Sequence, residues 1–130
     1  MYRTSMHTII LSIFLLGLVV GCTAQENSPT QAIESYLTAM VAKDSAKAAS
    51  LACSTWEAQA KTEADSFEGV SAQLQGLACQ VSGKDGSTTL VSCNGKIVTS
   101  YDGENTQLNL TGRTYKAVQE DGEWRMCGYQ

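Results

Sequence analysis

Two hydrophobic patterns divide the chain. From Ile9 to Val20 the sequence IILSIFLLGLVV runs twelve residues without a charge, close behind Arg3. A spanning helix needs about 20 apolar residues, so this shorter run reads as the hydrophobic region of an export signal peptide. Beyond it apolar residues recur at helical spacing. Ile33, Tyr36, Leu37, Met40 and Val41 fall at i, i+3, i+4, i+7 and i+8 and form one stripe, while Gln31 and Glu34 face elsewhere. Ser28-Pro29-Thr30-Gln31 has the form of a capping box with proline at the first helical position, which predicts a helix starting there. Asp44 or Ser45 can cap a second, alanine-rich helix reaching Cys53. Ser54-Thr55-Trp56-Glu57 offers a further capping box and predicts a third helix with Trp56, Ala60, Ala64 and Phe67 on one side. Residues 69–77 fit either a helical end or a loop entering a sheet.

From Cys79 onward the period changes from helical to two. Asp-Gly pairs at 85–86, 102–103 and 121–122 separate β-rich runs and predict an antiparallel meander of four strands, at about 77–83, 88–101, 106–120 and 123–129. In the second run Val91, Cys93, Ile97 and Tyr101 share a face. In the third, Leu108 and Leu110 lie in one phase and Tyr115 and Ala117 in the other, so a β-bulge is expected near Gly112. A two-residue turn at Asp121-Gly122 sets Ala117 opposite Met126 and Tyr115 opposite Gly128, which joins Trp124 and Met126 to the apolar face of Tyr115 and Ala117. The fold class expected is therefore α+β, with N-terminal helices packed against a curved antiparallel four-stranded meander.

Composition narrows the setting. The chain has 130 residues, enough for one domain, and 9 Lys+Arg stand against 13 Asp+Glu with no basic cluster. Nucleic acid is thereby excluded as a partner, because its phosphates call for a surplus of cations. The apolar run ends in Val19-Val20-Gly21-Cys22, which resembles the lipobox of a bacterial lipoprotein precursor at all four positions. That resemblance implies cleavage before Cys22 and a diacylglyceryl thioether on its sulfur, with acyl chains of the palmitate kind holding the protein to a membrane. Residues 1–21 are then the signal peptide, residues 22–28 the lipidated cysteine and a short tether, and residues 29–130 the single domain. Cleavage also removes His7, the one histidine, so the mature chain has no Ser-His-Asp triad, Cys-His pair or His-ligated metal.

Cys53, Cys79, Cys93 and Cys127 remain, an even number in an exported chain, and two disulfides are expected. Of the three possible pairings, Cys79 with Cys93 and Cys53 with Cys127 are preferred. The first pair flanks a turn, and the second ties a helix to the last strand. The register above, however, puts Cys127 on the face opposite Met126, against the second bridge unless another bulge intervenes.

The segments Pro29–Leu37, Lys43–Ala49, Tyr115–Val118 and Gly122–Cys127 together resemble the nuclear transport factor 2-like superfamily, a cystatin-like cone, and within it small bacterial lipoproteins. The resemblance implies a conical pocket between the first helix and a concave sheet. Members of that superfamily use such a pocket for isomerase, dehydratase or cyclase chemistry, or to bind a partner, so fold does not decide function.

Chemistry in a cone of this kind needs a general base held rigidly in the pocket. Here Glu34, Asp44, Glu57, Glu63, Asp65 and Glu68 belong to the helical half, and the later acids sit at turns. No catalytic residue, cofactor or metal is assigned. Tyr36, Tyr101, Tyr115, Trp124 and Met126 are the candidates to line a pocket. Lys96, Arg113, Lys116 and Arg125 are cations within strands and are expected to form a solvated outer face. The expected function is that of a membrane-anchored extracytoplasmic lipoprotein, a non-catalytic binding or accessory module of the cell envelope. Its partners would be the membrane through the lipid, and a small apolar ligand in the cone or another envelope protein. The alternative is a small isomerase- or cyclase-like enzyme using the cone pocket. Thr23 after the lipidated cysteine places the anchor in the outer membrane if the organism has two.

Overall fold

A computed structural model describes residues 27–130. The expected signal peptide, the lipidated Cys22 and residues 23–26 of the tether lie outside the described residues. Three helices come first, α1 (Pro29–Val41), α2 (Ser45–Ser50) and α3 (Glu57–Asp65). Five strands complete the domain, β1 (Ser71–Asp85), β2 (Thr88–Tyr101), β3 (Glu104–Asn109), β4 (Thr114–Glu120) and β5 (Glu123–Tyr129). They form one antiparallel sheet in the order β1-β2-β4-β5, with β3 also paired to β2.

The helices follow from their caps. Ser28 Oγ accepts from the Gln31 N–H at 3.2 Å and Pro29 opens α1. The stripe Ile33, Tyr36, Leu37, Met40 and Val41 is buried, each large side chain contributing about 1.5–3 kcal/mol. Asp44 caps α2 by accepting from the Lys47 N–H at 2.9 Å, and this helix ends at Ser50, short of Cys53. The third capping box does not form. Ser54 gives both its N–H and its hydroxyl to the Glu120 carboxylate at the end of β4, so it is not free to cap. Helix α3 therefore begins at Glu57, and Trp56 stands ahead of it.

The expected four-stranded meander is corrected to five strands. Residues 71–77 belong to the sheet as the start of β1. The expected third strand is two strands: β3 pairs with β2 over Lys96–Tyr101, and β4 pairs with it over Thr89–Ser92. Between them the chain turns, with the Leu110 N–H donating to the Gly95 carbonyl at 3.0 Å and the Arg113 N–H to the Leu110 carbonyl at 3.3 Å. Leu110 and Tyr115 are out of phase in a continuous strand, yet both are buried. A break of four residues, in place of a bulge at Gly112, puts both into the core. The first hairpin loop is Gly86-Ser87, one residue later than expected, because Asp85 pairs with Thr88. At the last hairpin Asp121 (φ 54°) and Gly122 (φ 78°) are both left-handed, the signature of a two-residue type I′ turn.

That turn sets Ala117 opposite Met126, but Tyr115 pairs with Tyr129 and not with Gly128. The extra residue is a bulge at Cys127-Gly128, and Gly128 takes φ +111°. A Cβ on Gly128 would also stand 3.4 Å from the Trp56 ring. The bulge resolves the conflict over Cys127, which bonds to Cys53 with the Cα atoms 5.2 Å apart. The Cys53 segment lies along the open edge of β5, exchanging backbone hydrogen bonds with Met126 at 2.8 and 2.9 Å through Cys53 and Leu51.

The second bridge joins Cys79 to Cys93, which sit directly opposite each other on β1 and β2 with the Cα atoms 4.1 Å apart. This close spacing belongs to a non-hydrogen-bonded pair, so the Cys79 N–H points away from β2. Glu34 Oε1 on α1 accepts it at 2.9 Å and ties the helix to the sheet edge.

Chain-entropy arithmetic orders the two bridges by the residues they enclose, 74 and 14 apart in sequence. Replacing Cys53 and Cys127 by alanine is expected to lower the unfolding free energy by about 4 kcal/mol, and replacing Cys79 and Cys93 by about 3 kcal/mol. Urea unfolding of the two double variants checks the order.

Candidate functional site

Helix α3 packs against α1 and α2 through its two smallest inner side chains. Ala60 and Ala64 are fully buried, and Glu63, beside Ala64 on the same turn, is carried inward with them. Its Oε2 accepts from the Tyr36 hydroxyl of α1 at 2.6 Å and from the Tyr129 hydroxyl of β5 at 2.8 Å. Oε1 has one longer partner, the Gln59 amide at 3.4 Å. Tyr129 reaches Glu63 because the bulge at Gly128 turns it inward. Its ring lies 5.3 Å from that of Tyr115 and meets Trp56 edge-on at 5.7 Å, and the Arg113 guanidinium lies 5.5 Å from the Tyr129 ring centre.

These groups border a cavity of about 160 Å³. Leu37 and Met40 of α1, Phe67 beyond α3, Ile97 of β2, and Leu108 and Leu110 around the end of β3 give it apolar walls. Glu63, Ser66, Arg113, Tyr115 and Tyr129 supply the polar part. Burial pushes the Tyr36 and Tyr129 hydroxyls well above their ordinary pKa, and the Glu63 carboxylate they contact pushes them further. Burial also raises Tyr115, against an opposing pull from the nearby Arg113 charge. Tyr115 is 1% exposed and its hydroxyl has no hydrogen-bond partner. Such a group costs about 1–3 kcal/mol when buried unpaired.

A wider groove of about 430 Å³ runs along the other side of α1, past Glu34, Thr38, Asp44, Lys47 and Leu77. It is open, and its acids already have work: Glu34 holds the Cys79 N–H and Asp44 caps α2. The smaller cavity is half-open and brings apolar walls together with Glu63 and Arg113.

The structure sorts the five expected lining residues. Tyr115 lines the cavity. Tyr36 stands behind it, reaching Glu63 from α1. Met126 is fully buried core and Trp124 packs partly buried against that core, neither on the cavity wall. Tyr101 is corrected: it is 68% exposed, because it ends β2 at the Asp102-Gly103 turn, where the face it shares with Ile97 has no helix over it.

Glu63, Tyr129 and Arg113 are not among the residues that the sequence singles out for a pocket. The usable signal for Glu63 is its place between Ala60 and Phe67 on the inner side of the third helix. Of the four expected face cations, Lys96, Lys116 and Arg125 alternate with the buried Ile97, Ala117 and Met126 and so share the outer sheet face, while Arg113 lies in the turn before β4. Arg125 pairs with Glu123 at 2.7 Å and donates to the Ser50 carbonyl, Lys96 donates to Gln107 at 3.0 Å, and Arg113 lies over Tyr129.

No family model matches the chain, and no curated protein matches its sequence. The fold is similar to the solution structure of a SEC-C motif containing protein from Rhodopseudomonas palustris. The TM-score is 0.52 at 13% identity, over 80% of this chain and 78% of that one. At this identity the likeness concerns the fold alone. It corrects the resemblance to nuclear transport factor 2-like lipoproteins. The solved fold that matches is that of a SEC-C motif protein, and the phrases that suggested otherwise are helix caps and an Asp-Gly hairpin, local signals that many α+β folds share.

Two outcomes test this site. Stability should hold up to about pH 10 and fall above it. The unfolded tyrosines ionise at their ordinary value of 10.0 while Tyr36, Tyr115 and Tyr129 keep their protons in the fold. Unfolding curves and tyrosinate absorbance across that range check this. Tyr115→Phe, which removes only the unpaired hydroxyl, should raise the unfolding free energy by about 1 kcal/mol; a loss of stability would mean that the hydroxyl has a partner.

Proposed function

We propose that this chain is a lipid-anchored binding module on the outer side of a bacterial membrane, and that it takes a small, mainly apolar ligand into the cavity between α1, α3 and the sheet. The observation that carries the reading is a half-open cavity of about 160 Å³ with apolar walls on one side and the Glu63 carboxylate on the other. A cavity of roughly 150 Å³ with apolar walls stays dry and accepts benzene or xenon. Sites for larger molecules start at roughly 300 Å³.

The location is supported by the sequence Val19-Val20-Gly21-Cys22 after an apolar run, and by two disulfides, which persist in oxidising compartments. Two or three acyl chains on Cys22, at roughly 0.8 kcal/mol per buried methylene, hold a protein durably. Asn27 exchanges hydrogen bonds with the backbone N–H and carbonyl of Trp124 at the start of β5. The spacer from Cys22 to Asn27 then reaches at most about 17 Å, which would keep the Trp124 end of the domain at the membrane.

The inward Glu63 favours the runner-up, a small isomerase- or cyclase-like enzyme using this pocket. Its test is exchange of the acidic C–H protons of a small bound ketone, abolished in Glu63→Gln. For the binding module, xenon pressure should shift the methyl resonances of Leu37, Ile97 and Leu110 and leave those of Val81 on the exposed strand β1 unmoved. In cells the chain should incorporate labelled palmitate and Cys22→Ser should abolish the label. Unshifted cavity methyls would remove the ligand reading, and a parent chain that takes up no palmitate would remove the anchor.

A further inference from the structure

The charges around the cavity restrict the ligand further than its size does, a restriction that rests on the binding reading above. Burial gives the cavity a floor and a rim. Leu37, Ile97 and Leu110 are each 1% exposed and form the floor with Met40, whereas Leu108 and Arg113 are exposed and Glu63 is half-buried. The floor suits an apolar body the size of one leucine or phenylalanine side chain. Above it stand two opposite charges, and neither has a counter-ion. Glu63 accepts only from neutral groups, the Tyr36 and Tyr129 phenols and the Gln59 amide. Arg113 forms no ion pair among the described residues.

Tyr129 stands between the two charges. Glu63 Oε2 lies 2.8 Å from its hydroxyl and the Arg113 guanidinium 5.5 Å from its ring centre, so with the half-length of a phenol added they are at most about 11 Å apart. They nevertheless make no ion pair with each other. An ammonium and a carboxylate carried on one carbon, with a hydrogen bond at each end, span about 8 Å. A ligand with a single charge satisfies one of these groups and is repelled by the other, whereas a ligand with both charges satisfies both. We propose that the cavity binds a free α-amino acid with an apolar side chain. Its ammonium meets the Glu63 carboxylate, its carboxylate meets the planar fork of Arg113, and its side chain lies on the floor.

Leucine has two close analogues that each lack one charge, isocaproate without the ammonium and isopentylamine without the carboxylate. The experiment titrates all three into the exported, disulfide-intact chain carrying Cys22→Ser, which keeps the probes from partitioning into an acyl anchor, with and without Arg113→Gln. Heat and the methyl resonances of Leu37, Ile97 and Leu110 are followed together. Leucine should bind about tenfold more tightly than either analogue. Arg113→Gln, a change at an exposed residue, should weaken leucine and isocaproate about tenfold, the worth of one charge-assisted hydrogen bond, and should not weaken isopentylamine. If either analogue binds as tightly as leucine, or if Arg113→Gln leaves leucine unchanged, the amino-acid reading falls. Xenon applied to the same sample separates this reading from the one it rests on. Methyls that shift with xenon but not with leucine leave the cavity reading standing and overturn this one, and methyls that move with neither remove both.

Discussion

One carboxylate holds three parts of this domain in register. Glu63 of α3 accepts on a single oxygen from Tyr36 of α1 and Tyr129 of β5, hydroxyls that approach from opposite ends of the described chain. Burying either phenol without an acceptor would cost about 1–3 kcal/mol. A charge accepting two hydrogen bonds is also better compensated than an isolated one. Glu63 and Tyr129 also border the cavity beside Tyr115.

Much of what leads to this point is visible in the sequence. The apolar stripe of α1, its Ser28 cap and the Asp121-Gly122 turn are local signals, and each depends on residues within a few positions of one another. What escapes a reading of the sequence depends on distant partners. Ser54 looks like a cap until Glu120, 66 residues away, takes its hydroxyl. The phase slip between Leu110 and Tyr115 is equally consistent with a bulge or a break, and only pairing with both halves of β2 decides for the break. The bulge at Gly128 has no pattern of its own. It is inferred once Cys127 must reach Cys53 and Tyr129 must reach Glu63.

Glu63 itself is missed when a pocket carboxylate is sought on strands, where backbone pairing gives rigidity. The helix provides the same rigidity by another route. Ala60 and Ala64 are small enough to let its backbone sit close to the core, and two tyrosine hydroxyls fix the carboxylate from outside the helix. Tyr101 fails as a lining residue for the converse reason. Period two assigns a face correctly, but a face is buried only where another layer covers it.

The central claim is that the Glu63 carboxylate, by accepting from Tyr36 and Tyr129, holds α1, α3 and β5 together. Urea unfolding of Glu63→Leu tests it most directly. The account predicts a loss of about 2–4 kcal/mol, because two phenol hydroxyls lose their acceptor. A variant as stable as the parent chain would contradict it.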